Sequence, residues 1–313
     1  MLVLRQKLSD PVFLLAVVAA LGAFVVQSGE LGSSDTTHRL QVAYSFWTSE
    51  PPVFPQEYPE FGLHGRGGKL QSWYGMGQSL LLLPADIIGT YIERLPIFAR
   101  YNGNDPAVRN IVVSYITNIL VNVLTALIAL RFLRQLGFSI KQSVAGVLAL
   151  LFCTTHLHYT QNMMENNYIM LLTLVGFSFQ FEWLSTGSRR ALLIGSAALG
   201  LNLLTRLTTG LDLLASGVFL LLALLFEQRG ASVLPRFRIY IKIAIPVYAI
   251  FALDRSLLSV LSLRIIHQHL RYDLRPGISP TGPFTSSQLS LGNAVPHRLP
   301  WPAHHCGEVH LSF

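Results

Sequence analysis

Charge is scarce in this sequence. Only 12% of its 313 residues are Asp, Glu, Lys or Arg, against about 25% in an ordinary soluble domain. Hydrophobic residues make up 51% and the mean hydropathy is +0.46. A disordered chain needs the reverse balance, low hydrophobicity and high charge. A soluble globular enzyme is disfavoured for the same reason, which leaves a polytopic membrane protein. Cysteine is nearly missing: Cys153 and Cys306 are the only two, which excludes a disulfide framework or a zinc-ligand spacing. Acidic residues are outnumbered, 16 against 23 basic ones, for a formal net charge of +7. In so apolar a chain, a basic excess marks loops that fix topology in a membrane rather than a nucleic-acid partner.

What is present is a series of apolar runs. Pro11–Val26 follows Arg5 and Lys7. Its 16 residues rise about 24 Å against a hydrocarbon core of about 30 Å. Because further runs follow it, it reads as a first span rather than a signal peptide. Five more spans are expected at Asn110–Leu130, Ser143–Tyr159, Tyr168–Leu184, Ala191–Leu204 and Leu207–Phe226, and a seventh at Ile239–Leu253. The fold class is therefore all-α, a bundle of about seven transmembrane helices.

Residues 28–108 break this pattern. Within them Leu40, Ala43, Tyr44 and Trp47 recur at i, i+3, i+4 and i+7, the spacing of an amphipathic helix on a membrane surface. Gln78–Ile92 is apolar, but Pro84 and Asp86 interrupt it, and it is too short to span comfortably. It reads as an interfacial or re-entrant helix. One side of the bundle then collects Arg5, Lys7, Arg131, Arg134, Lys141, Arg189, Arg190, Arg229, Arg236 and Arg238 in short connections. The positive-inside rule makes that side cytoplasmic. The N-terminus is expected inside and the long loop 28–108 outside.

Composition changes sharply near Asp254. Six of the ten histidines lie in the last 47 residues, and no helical or strand period is visible from Pro276 to Phe313. Residues 1–253 form the membrane domain; 254–313 are expected to be a disordered tail or sequence read out of frame. The histidines lack the helix-face spacing of a metal site, and neither a metal nor a cofactor is expected.

The topology places three polar groups at the outer face. Asp35 lies in Gly32-Ser33-Ser34-Asp35-Thr36-Thr37-His38-Arg39, just before the amphipathic run. The connection from His156 to Glu165 adds His158 and Asn162. Arg206 interrupts Leu203-Leu204-Thr205-Arg206-Leu207. A carboxylate can take a proton from an acceptor hydroxyl, and a cation can stabilise a phosphate leaving group. Each also has a structural alternative. Asp35 and Glu165 suit the first turn of a helix, and a lone Arg at a span end can snorkel to the interface. Gly62-Leu63-His64-Gly65-Arg66-Gly67-Gly68-Lys69 fails as a phosphate loop, because Leu63 stands where the first glycine belongs and no Ser or Thr follows Lys69.

In order and residue type, these features resemble the C-type (GT-C) membrane glycosyltransferases, near the protein-mannosyltransferase and aminoarabinose-transferase branch. The likeness runs through Gly29-Glu30 to Arg39, Tyr74-Gly75-Met76-Gly77-Gln78-Ser79-Leu80, Arg131-Phe132-Leu133-Arg134-Gln135-Leu136-Gly137-Phe138 and Leu204-Thr205-Arg206. It covers roughly Pro11 to Leu253. The resemblance implies inverting transfer of a sugar from a polyprenyl-phosphate carrier to a lipid, glycan or protein acceptor at the outer face of a bacterial plasma membrane. By the same resemblance Asp35 is the general base and Glu165 the second outer acid. Arg206 lies near the carrier phosphate, with Lys69, Tyr74 and His156 as substrate contacts. Family members usually have more spans and often an outer C-terminal domain. A non-catalytic transporter or lipid-handling protein, or an inactive truncated copy, are the alternative expectations.

Overall fold

The computed structural model describes residues 10–48, 62–64, 70–72, 75–101, 106–227 and 235–253, all within one compact unit, Met1–His269. They are helical apart from one antiparallel pairing of β1 (Gly62–His64) with β2 (Leu70–Ser72). The helices are α1 (Pro11–Val26), α2 (Ser34–Trp47), α3 (Met76–Glu93), α4 (Val108–Gln135), α5 (Ile140–Phe152), α6 (His156–Gln161), α7 (Glu165–Thr186), α8 (Arg189–Thr205) and α9 (Gly210–Glu227), followed by α10 over 235–253.

Three stretches are long and apolar enough to cross a membrane: Val108–Gln135, Glu165–Thr186 and Leu207–Phe226, the last joining a short 3₁₀ turn to α9. Pro11–Val26 and Ile140–Phe152 are apolar but shorter. Large apolar side chains stay exposed along α1 and α9, among them Phe24, Val25, Leu211, Leu214 and Phe226. Such continuous apolar surface suits lipid, not water. The expected span Ser143–Tyr159 is not one helix. It stops at Cys153 and restarts as α6. Here the chain satisfies its polar groups through Thr154 and His156, whose backbone N–H donates to Thr154 Oγ1 at 3.1 Å.

Pairs of contacts define the two ends of the bundle. Arg131 of α4 is ion-paired with Glu182 near the end of α7, and its guanidinium lies 3.8 Å from the Phe179 ring centroid. Glu165 opens α7, so it sits about 26 Å from Glu182 along the helix at 1.5 Å per residue. At the Glu165 end, α1 meets α4 where the Tyr115 hydroxyl donates to the Gln27 carbonyl at 3.2 Å.

The α2–α3 pair lies at this same end. Arg39 meets Gln78, and Trp47 meets Asp86. Both contacts advance by the same number of residues along each helix, so the two helices run side by side and parallel. α3 starts against the end of α8: a Cβ on Gly75 would collide with the Leu204 carbonyl. Near its other end Gly89 approaches the Arg109 backbone at the start of α4. The helix passes through Pro84 unbroken. Leu40, Ala43, Leu82, Ala85, Val113 and Tyr168 form the core under it.

Candidate functional site

The N-terminus of α2 is built by local chemistry. Ser33 caps it, accepting from the Thr36 backbone N–H at 3.2 Å. Asp35 follows in the first turn, where a carboxylate is favoured by the helix dipole. Gly32 precedes the cap at φ +71°, a conformation that suits glycine, and a Cβ there would collide with the Asn162 carbonyl. Thr36 Oγ1 then donates to the Met163 carbonyl at 3.3 Å. Met163 is fully buried and itself takes a left-handed φ of 49°, uncommon for a side chain of its size. This turn aims the start of α7, and so Glu165, at α2.

Arg39 lies one turn beyond Asp35 on the same face of α2. Its side chain is 6% exposed and ion-paired with Glu165 Oε2. Its Nη1 also donates to Gln78 Oε1 at 2.7 Å. From the other side Arg206 Nη1 reaches Glu165 Oε1 at 3.3 Å, with its own side chain 53% exposed. One carboxylate therefore links two guanidiniums, one buried and one open to the surroundings. Arg206 is the C-cap of α8 in extended conformation. Asp35 is half-buried, close enough to His38 for its charge to act on that ring.

The structure thus brings Asp35, Glu165 and Arg206 to one end of the bundle and adds Arg39 and Gln78, to which sequence reasoning gave no role in the site. Among the described residues Arg206 pairs with Glu165, and Asp212 accepts from Thr173 Oγ1 at 2.9 Å. His156 is buried beneath: its Nε2 lies 2.6 Å from Asn122 Oδ1, and its carbonyl accepts from Asn167 Nδ2 at 3.2 Å. These contacts make it a strut between α4, α6 and α7. Lys69 and Tyr74 lie outside the described residues, as do 254–313. Among the described residues no group of three or more His, Cys, Asp and Glu could hold a metal ion.

His38 gives the α2 docking a pH dependence. Burial pushes its imidazole below the ordinary 6.5, partly offset by the Asp35 charge and a hydrogen bond to Gln41. The unfolded ring thus takes up a proton at a pH where the folded one does not. Its contribution to stability is intact above 6.5, falls as pH drops below that value, and levels off under the folded pKa. We expect Tm in detergent to fall between pH 7 and pH 5, and His38→Gln to flatten part of that fall. An unchanged slope in the variant would remove His38 as the cause.

Compared with known protein families, curated proteins and solved structures, the chain matches none.

Proposed function

We propose that the protein is an inverting glycosyltransferase of the membrane, taking a sugar from a polyprenyl-phosphate carrier to an acceptor hydroxyl at the outer face. The observation that carries this reading is Glu165, which holds buried Arg39 and exposed Arg206 together at the bundle end where Asp35 opens α2. In the reaction Asp35 accepts the acceptor's hydroxyl proton. The acceptor oxygen bonds to the anomeric carbon as the bond from that carbon to the phosphate oxygen breaks, with inversion. The carrier leaves as a phosphate anion beside Arg206. Glu165 is then the residue that orients Arg206 rather than a second base, since both its oxygens face guanidiniums. The apolar helices hold the carrier's chain in the membrane, and α2 and α3 lie across the outer end above it.

The test is transfer from a panel of radiolabelled polyprenyl-phosphate sugars by the purified protein. Arg206→Ala removes charge-assisted hydrogen bonds to the phosphate worth about 1.5–3 kcal/mol, or roughly 10–100-fold in donor affinity. Arg206→Lys keeps the charge without the planar fork and is expected to fall between the two. Transfer that is unaffected by Arg206→Ala removes the phosphate role. No transfer from any donor by the wild-type protein removes the enzyme.

A further inference from the structure

A second polar cluster lies one to two turns deeper, among α7, α8 and α9. Asn202 of α8 is fully buried. Its Nδ2 lies 3.0 Å from Thr173 Oγ1, 3.3 Å from the Ile169 carbonyl and 3.3 Å from Asp212 Oδ2. Thr173 Oγ1 in turn donates to the same Asp212 oxygen at 2.9 Å. Three oxygens from two helices therefore converge on one point, and the amide that occupies it has only two hydrogens to give. Asn202 Oδ1, the fourth oxygen, is buried with no hydrogen-bond partner. Leu211 and Leu214, on either side of Asp212, are 70% and 65% exposed; the carboxylate is half-buried and bonded inward to Thr173 and Asn202. Among the described residues no Lys or Arg forms an ion pair with it.

A carboxylate among apolar helices is costly unless a positive charge compensates it. An orphaned buried amide oxygen adds a further cost of about 1–3 kcal/mol. A bound cation relieves the first. If the Asn202 amide turns over, its oxygen joins Asp212, Thr173 and the Ile169 carbonyl in an all-oxygen set. We infer that Asp212, Asn202, Thr173 and the Ile169 carbonyl bind a monovalent cation, sodium. Oxygen-only donors select hard cations. A single carboxylate balances one positive charge, whereas calcium sites draw on several acidic ligands. The inference is independent of the sugar-transfer reading, because none of these four residues belongs to the Asp35–Glu165–Arg206 site.

The experiment is thermal unfolding of the purified full chain in detergent, titrated with NaCl against KCl and choline chloride at constant ionic strength. Binding to the folded state alone raises Tm with the logarithm of ligand concentration above Kd. We expect a saturable rise in sodium that potassium and choline do not reproduce. Asp212→Asn, which keeps an oxygen for Thr173 but loses the charge, should abolish it, and Thr173→Val should weaken the apparent sodium affinity at least tenfold. Binding of ²²Na⁺ to the wild-type protein gives a second reading should Asp212→Asn fail to fold; it should saturate at a single site. Equal Tm in all three salts, an Asp212→Asn protein that keeps the sodium response, or non-saturable ²²Na⁺ binding would each overturn the site.

Discussion

Asp35→Asn should lower sugar transfer by about 10²–10⁴-fold, the range a positioned general base contributes, with little change in expression or Tm. The substitution conserves volume and leaves the Ser33 cap and the Thr36–Met163 bond in place. Part of what the helix loses is a first-turn charge worth about 0.3–1 kcal/mol, too little by itself to unfold the protein. If Asp35 serves only to start α2, the outcome inverts: Tm falls slightly and turnover holds. Glu165→Gln provides the contrast. It leaves buried Arg39 facing an amide where it had a carboxylate, so stability and activity should fall together. Loss of transfer in Asp35→Asn at wild-type Tm, beside a joint loss in Glu165→Gln, separates the proton acceptor from the residue that holds the cations.

Helix positions were largely open to sequence reading because apolar periodicity reports them directly. Leu40, Ala43, Tyr44 and Trp47 predict an amphipathic helix, and α2 occupies Ser34–Trp47 with Leu40 and Ala43 buried. Pro11–Val26 is a helix over the residues expected. The break at Cys153 was hidden because Ser143–Tyr159 has no charge and no proline to announce it. At the break Thr154 Oγ1 donates back to the Leu150 carbonyl, and His156 meets Asn122 on another helix. The same limit applies to the site. Asp35, Glu165 and Arg206 stand out as polar residues at the edges of apolar runs. Arg39 does not, although its spacing from Asp35 and its place beside buried Leu40 put it on the inner face of α2. Its partner Glu165 is too far along the chain for local pattern to connect them. The count of membrane crossings is subject to a different ambiguity. α8 has 17 residues and α5 has 13, and whether such helices cross depends on tilt and on the bilayer, which composition does not specify.

Asp86 carries the largest expected stability effect. It sits within α3 with no exposed side-chain surface, and two other helices converge on it. Arg109 of α4 donates from Nε to Oδ1 at 2.6 Å, and Trp47 of α2 donates from Nε1 to Oδ2 at 2.8 Å. The Arg109 guanidinium also lies 4.6 Å from the Tyr44 ring centroid, so α2 is held to α4 through it. Asp86→Ala leaves a guanidinium 19% exposed and a half-buried indole N–H without their acceptor. Removing one partner of a buried pair costs about 3–5 kcal/mol; the lower end applies here, because Arg109 retains the Tyr44 ring and some solvent. Asp86→Asn can still accept from Trp47, but its amide N–H₂ then opposes Arg109, so it should recover only part of the loss. Replacing both members with apolar residues, Asp86→Leu with Arg109→Met, removes the stranded charge and should be more stable than Asp86→Ala alone. Thermal unfolding of the four proteins in one detergent decides it: a double variant no better than Asp86→Ala would mean that the loss came from the Trp47 bond and the packing of α2, not from the unpaired cation. Because α2 carries Asp35 and Arg39, loosening this latch should also lower transfer, and that loss should track Tm where the loss in Asp35→Asn does not.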